Sequence, residues 1–177
     1  YWDLCDFPLR NATLEEIEAW PLPSPDDFDY SHIAEQCQRL KEYCVIAGNS
    51  GVSTVINFTG RLRSMEQVFM DLASDAEAAL RLIDLLLHVR FEVLRRSIEA
   101  ARGGFDVLWI GEDLGTQRGP IIGRGIFEKH VLPRHRRYIE LGQAHNLPVV
   151  MHTCGSSSWA YEDYIRLGVA AFETLQP

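Results

Sequence analysis

Apolar residues recur every three or four positions from Ala76 through Leu80, Ile83, Leu87, Phe91, Leu94 and Ile98, the stripe of a long helix packed on one face. Ser74 and Glu77 have capping-box spacing at its start, and Gly103-Gly104 stops it. Ser64 and Gln67 repeat that spacing and open a shorter helix to about Leu72. Around these helices lie short apolar runs that end in turn residues, as strands entering loops do. Residues 44–47 run into Gly48-Asn49-Ser50-Gly51, and residues 106–110 run into the loop of residues 111–120. Residues 148–152 form a third strand, and residues 169–174 a last one. A short helix is expected to reach about Val131, with Pro133 starting another that ends near His145-Asn146. Residues 159–167 read as one more.

The first part of the chain lacks this rhythm. Thr13 and Glu16 form a capping box for a short helix, and Pro21, Pro23 and Pro25 then make a stiff connector. Residues 31–43 read as a helix with Ile33, Cys37, Leu40 and Cys44 along one side. The organisation is thus an irregular, helical lead-in over 1–43 and a region of repeating units over 44–177. Strands alternating with helices define an α/β protein with a parallel sheet, satisfied by an open doubly wound sheet or by a barrel. No glycine-rich phosphate-binding loop follows any strand.

Length and composition narrow the field. At 177 residues the chain suffices for one domain with a core, and 46% hydrophobic with 24% charged residues is ordinary for a soluble protein. A net charge of −8 argues against nucleic acid as a partner, and the basic run Arg134-His135-Arg136-Arg137 reads as a solvated helix face. No apolar run approaches the roughly 20 residues of a membrane span. The start Tyr1-Trp2-Asp3 has neither a basic region nor a following apolar run, so no secretory signal is expected. Four irregularly spaced cysteines fit a reducing, cytoplasmic compartment rather than a disulfide framework. The ends of the sequence suggest a piece of a longer protein.

The sharpest chemical feature is Met151-His152-Thr153-Cys154-Gly155 at a strand end. Residues two apart on a strand share a face, so His152 and Cys154 point together, and an imidazole beside a thiol suits zinc. The same spacing also fits a buried thiol beside a hydrogen-bonded histidine. The carboxyl end of a strand in a parallel fold favours the functional reading. Glu112 and Asp113 follow another strand; alternation lets at most one of them face the mouth, as metal ligand, proton acceptor or substrate contact, and a helix-capping acid is the plain alternative. Asn49 and Ser50, with Ser53 and Thr54, line the first loop as substrate contacts or turn residues. Glu173 ends the last strand. His130 and His135 read as surface residues on helices, and Trp109 as core. Cys154 is expected to be the reactive thiol, with Cys37 and Cys44 shielded on apolar faces.

The run from Gly111-Glu112-Asp113 through Gln117-Arg118-Gly119-Pro120, then Phe127, Val131-Leu132-Pro133-Arg134 and His152-Thr153-Cys154-Gly155, resembles the uroporphyrinogen decarboxylase superfamily. The closing stretch from Gly168 to Pro177 fits the same pattern. The resemblance implies a partial (β/α)8 TIM barrel, about four consecutive βα units of a parent roughly twice this length. Glu112 and Asp113 are the expected catalytic residues, and Asn49, Ser50 and Gln117 the expected substrate contacts. In two respects the sequence departs from the usual pattern. Gly123-Arg124-Gly125 stands where relatives start the short helix with a better cap, and His152-x-Cys154 is similar to the zinc pair of the superfamily's corrinoid:thiol methyltransferases rather than to its metal-free decarboxylases.

The expectation is therefore a zinc enzyme moving a methyl group from a corrinoid to a thiol, its His152 and Cys154 joined by a ligand outside this chain. Its partners would be a small-molecule substrate and a corrinoid protein, with self-association as a homodimer. Decarboxylation of a tetrapyrrole without a metal is the alternative, and a non-catalytic binding remnant is the third reading.

Overall fold

The computed structural model describes residues 4–176. Tyr1, Trp2 and Asp3, on which the signal-peptide expectation rests, lie outside the described residues, as does Pro177. A sheet of four parallel strands, β1 (Ile46–Gly48), β2 (Val107–Gly111), β3 (Val149–His152) and β4 (Val169–Glu173), runs in sequence order. Consecutive parallel strands joined through helices are a run of βα units, the partial barrel expected from the sequence.

Register divides the sheet into two faces. Ala47, Leu108, Ile110, Val149 and Met151 are buried on the side packed by helices. On the other side, Gly48, Trp109, Val150 and Ala171 are cross-strand neighbours, and the next row towards the carboxyl ends is Gly111, His152 and Glu173. That second face is the less covered one, and Ile46 on it is 46% exposed.

The helices are α1 (Leu14–Glu18), α2 (Ile33–Arg39), α3 (Ile56–Arg63), α4 (Met65–Ser74) and α5 (Glu77–Ala100), followed by α6 (Arg124–Ile126), α7 (Leu132–Ala144) and α8 (Tyr161–Leu167). Thr13 and Glu16 make the expected capping box on α1, and Ser64 accepts the expected bond from Gln67 N–H at 3.2 Å. Ile83, Leu87, Leu94 and Ile98 of the α5 stripe are buried in the main core, with Leu80 and Phe91 packed against it. A second stripe, Leu82 and Leu86, packs on Leu9 and Ile17 and ties the lead-in to α5.

The structure corrects several expectations. Ser74 does not cap α5: it closes α4, Asp75 turns left-handed behind it (φ 56°), and Ala76 begins α5 without a side-chain cap. α3 was not anticipated. Leu40 and Cys44 are exposed because α2 ends at Arg39, before either joins its apolar side. A π-helical turn, Phe127–Val131, links α6 to α7 where Pro133 lacks an N–H. His130 and His135 are buried, not surface residues.

Candidate metal and substrate site

The site is built where β2 and β3 release their chains. Pairing continues past the strands: Glu112 N–H donates to His152 O at 3.1 Å, Gly115 N–H to Cys154 O at 3.1 Å and Ser156 N–H to Thr116 O at 2.8 Å. Leu114 N–H donates to the buried Thr153 hydroxyl at 3.2 Å. The loops approach so closely that a Cβ on Gly115 would lie 2.4 Å from Ser156 N, which requires glycine there.

This scaffold brings Asp113, His152 and Cys154 together, with one donor atom of each within 4.8 Å of the others. His152 Nε2 lies 3.4 Å from Cys154 Sγ and 3.4 Å from an Asp113 oxygen. Behind the ring, Nδ1 bonds to the Glu173 carboxylate, and the Thr174 hydroxyl lies 3.2 Å from Nδ1 while donating to Glu173 at 2.6 Å. Asp113 accepts from Asn57 Nδ2 at 2.8 Å and from Cys154 N–H at 3.2 Å. Burial and the bond and charge of Asp113 push the Cys154 thiol up to about 11. The Glu173 carboxyl lies below its usual range, chiefly through the Thr174 hydroxyl.

Glu112 takes the opposite side. It is fully buried, and its carboxylate accepts the N–H groups of Val55, Ile56 and Asn57 at the start of α3. That makes it the capping acid of α3 and removes it from the mouth, against the catalytic place expected for it. Burial pushes its carboxyl up to about 7, with the three N–H groups pulling the other way. His135 Nε2 lies 3.9 Å from it, bonding Ser53 O at 3.1 Å, and Nδ1 bonds Tyr164 OH at 2.7 Å. Enclosure drives this imidazole down to about 4.

A cleft of about 910 Å³ opens beside the cluster, lined by Asn49, Ser50, Asn57, Asp113 and His152 among others. Asn49 uses its carbonyl oxygen on Gly51 N–H at 2.8 Å, the turn role foreseen as its alternative. Gln117 is exposed on a turn closed by the Gly115–Pro120 bridge and does not line the cleft, which separates it from the other proposed substrate contacts. Trp109 is half-buried on the same face of the sheet as His152, its ring 6.4 Å from that of His152. Asn57 and Thr174 escaped sequence reasoning, because neither belongs to a spaced motif. The burial of His135 did carry a signal, since Tyr138, Ile139 and Gly142 are buried at the following helical spacings.

The family model described as "Uroporphyrinogen decarboxylase (URO-D)" matches residues 7–174. The chain belongs to that family. The match covers the lead-in as well as the strand-bearing region, so both are part of the uroporphyrinogen decarboxylase pattern. No curated protein matches the chain at a significant level. Within the described residues no helix is long and apolar enough to cross a membrane.

Proposed function

We propose that this member of the uroporphyrinogen decarboxylase family belongs to a zinc-dependent enzyme that moves a methyl group from a corrinoid to a thiol. The observation that carries the reading is the meeting of Asp113, His152 and Cys154 at the carboxyl end of the sheet. One imidazole nitrogen, one sulfur and one carboxylate oxygen suit zinc, whereas magnesium and calcium call for oxygen throughout. Glu173 behind His152 fits the same reading, because a carboxylate on the far nitrogen fixes the ring and strengthens it as a ligand.

His152 and Cys154 would hold the metal, with Asp113 as an oxygen ligand and a further ligand from outside this chain. Zinc there would supply the Lewis acidity that lets a substrate thiol ionise at neutral pH. Asn57 keeps Asp113 turned to the mouth, and Glu173 keeps His152 Nε2 there. The ionised thiol would take the methyl group as its sulfur–carbon bond formed, and the electron pair of the broken bond would stay with the corrinoid donor.

Metal-free decarboxylation of a tetrapyrrole is the second reading, favoured by the family description and by a cleft wide enough for a ligand larger than a simple thiol. The two separate in the metal content of the protein purified under reducing conditions with its natural flanking sequence. One zinc per chain is expected in the wild type, with loss in both His152→Ala and Cys154→Ser. Wild-type protein free of zinc, or full zinc in both variants, would overturn methyl transfer and promote decarboxylation.

A further inference from the structure

Among the described residues, five other than glycine adopt a positive φ: Ser64, Asp75, Arg102, Asn146 and Thr174. Asp75, Arg102 and Asn146 stand just past the ends of α4, α5 and α7, where a left-handed residue closes a helix. Ser64 joins α3 to α4 and caps the second. Thr174 closes no helix. It follows β4 with φ 61°, and it is the β-branched side chain of the five, the kind that crowds most in this region. Strain of this sort persists only where the surroundings hold it, and it gathers at functional sites.

The hydroxyl shows what the bend accomplishes. Thr174 Oγ1 donates to one oxygen of Glu173 at 2.6 Å and lies 3.2 Å from His152 Nδ1, while the other Glu173 oxygen bonds the same Nδ1. A hydroxyl carries a single proton, and here Glu173 takes it. Towards Nδ1 the Thr174 oxygen therefore offers only lone pairs, as ionised Glu173 does. Two acceptors converge on Nδ1, so a neutral His152 carries its proton there. Nε2 is left bare, 3.4 Å from Cys154 Sγ and 3.4 Å from an Asp113 oxygen. The Glu173 side chain is 39% exposed, and without its bond from Thr174 it is free to turn towards water.

We infer that Thr174 is a positioning residue: its hydroxyl, brought over the ring by the left-handed bend, fixes Glu173 and holds His152 in the tautomer whose Nε2 lone pair faces Cys154 and Asp113. The tautomer does not depend on a metal, whereas its use as a ligand rests on the proposed zinc site. The same bend also brings the Gln176 side-chain oxygen to Gly155 N–H at 2.6 Å, a purely structural gain. Thr174→Val separates the two roles, because it keeps the branched shape and loses the hydroxyl. Thr174→Ser keeps the hydroxyl.

Long-range proton–nitrogen correlation of the histidine rings in this chain, at about pH 9 with a chelator, reads the tautomer. His152 is assigned by its loss in His152→Gln, and the buried ring of His135 reports that the fold is kept. Wild type and Thr174→Ser are expected to favour the proton on Nδ1 by about tenfold or more, and Thr174→Val to lose most of that preference, the size of one charge-assisted hydrogen bond. Zinc affinity, measured by competition with a chromophoric chelator on the protein with its natural flanking sequence, should fall about tenfold in Thr174→Val and stay near wild type in Thr174→Ser. A wild-type His152 protonated on Nε2 would overturn the inference with no variant needed. So would a Thr174→Val that keeps the wild-type tautomer or the wild-type zinc affinity, or equal losses in the two variants. A fixed tautomer in a wild type that binds no zinc would keep the positioning role and count against the metal reading instead.

Discussion

The thiol of Cys154 lies 3.4 Å from an imidazole, a contact that by itself would favour the thiolate. Its other neighbours are acids: Asp113 and Glu173 both oppose a second negative charge, and with burial they hold the thiol at about 11 against an ordinary 9.0. At pH 8 the thiolate fraction is then roughly a hundredfold below that of an ordinary cysteine, and greater basicity returns about tenfold in nucleophilicity. Metal-free Cys154 should therefore alkylate roughly tenfold more slowly than exposed Cys5 and Cys44, its rate still climbing towards pH 11. This reverses the expectation from sequence that Cys154 is the reactive thiol and Cys44 shielded. Timed alkylation read by peptide mass spectrometry checks it: Cys154 labelling ahead of Cys44 in chelated protein would contradict the acidic surroundings described. The reversal has a physical cause that spacing does not carry. His-x-Cys locates a shared face, but the acids that set the thiol come from two other strand ends.

Between elements, the buried contact joining β2, α3 and α7 is a pair of groups with opposed titrations. Glu112, raised to about 7 from 4.5, binds extra protons in the folded state across that window, so its contribution to stability falls as pH rises through it. His135, lowered to about 4 from 6.5, binds fewer protons when folded, so its contribution rises with pH between those values. Over pH 4.5–6.5 the two slopes, each about 1.4 kcal/mol per pH unit, nearly cancel. Wild-type stability should accordingly be flat there as far as this pair governs it. Glu112→Gln should gain stability with rising pH across the window, and His135→Gln should lose it. Urea unfolding at half-unit steps of pH reads the slopes; parallel curves for both variants would exclude the pairing. At this scale the alternation of strands and helices, the α1 cap and the α5 stripe were legible, because each is written in local spacing. The α3 helix was not, since its start is capped by Glu112, a residue 56 positions from Ile56. The orientation of Glu112 was likewise hidden: alternation said that only one of the two acids faces the mouth, and not which.

As a whole molecule, the sheet has two outer strands, β1 and β4, each paired on one side only among the described residues. An unpaired parallel strand offers a row of N–H and C=O groups to any chain that can add to it. The less covered face beside it carries Ile46 at 46% exposure, with Trp109, Val150 and Ala171 across the strands. In a (β/α)8 barrel those residues would fill the interior, and here they meet solvent. Two such sheets have the four and four strands that a barrel of eight needs, so a second copy can cover both the edge and the face. The isolated chain is therefore expected to associate, with its weight-average mass by light scattering rising with concentration towards a dimer. Ile46→Lys places a charge on the exposed edge without touching the helix-packed core, and should shift the equilibrium back to monomer by about tenfold or more in dissociation constant. A wild-type chain that stays monomeric across the concentration range and unfolds in one sharp urea transition would show that the open face needs no cover. An Ile46→Lys chain as dimeric as the wild type would show instead that association uses another surface.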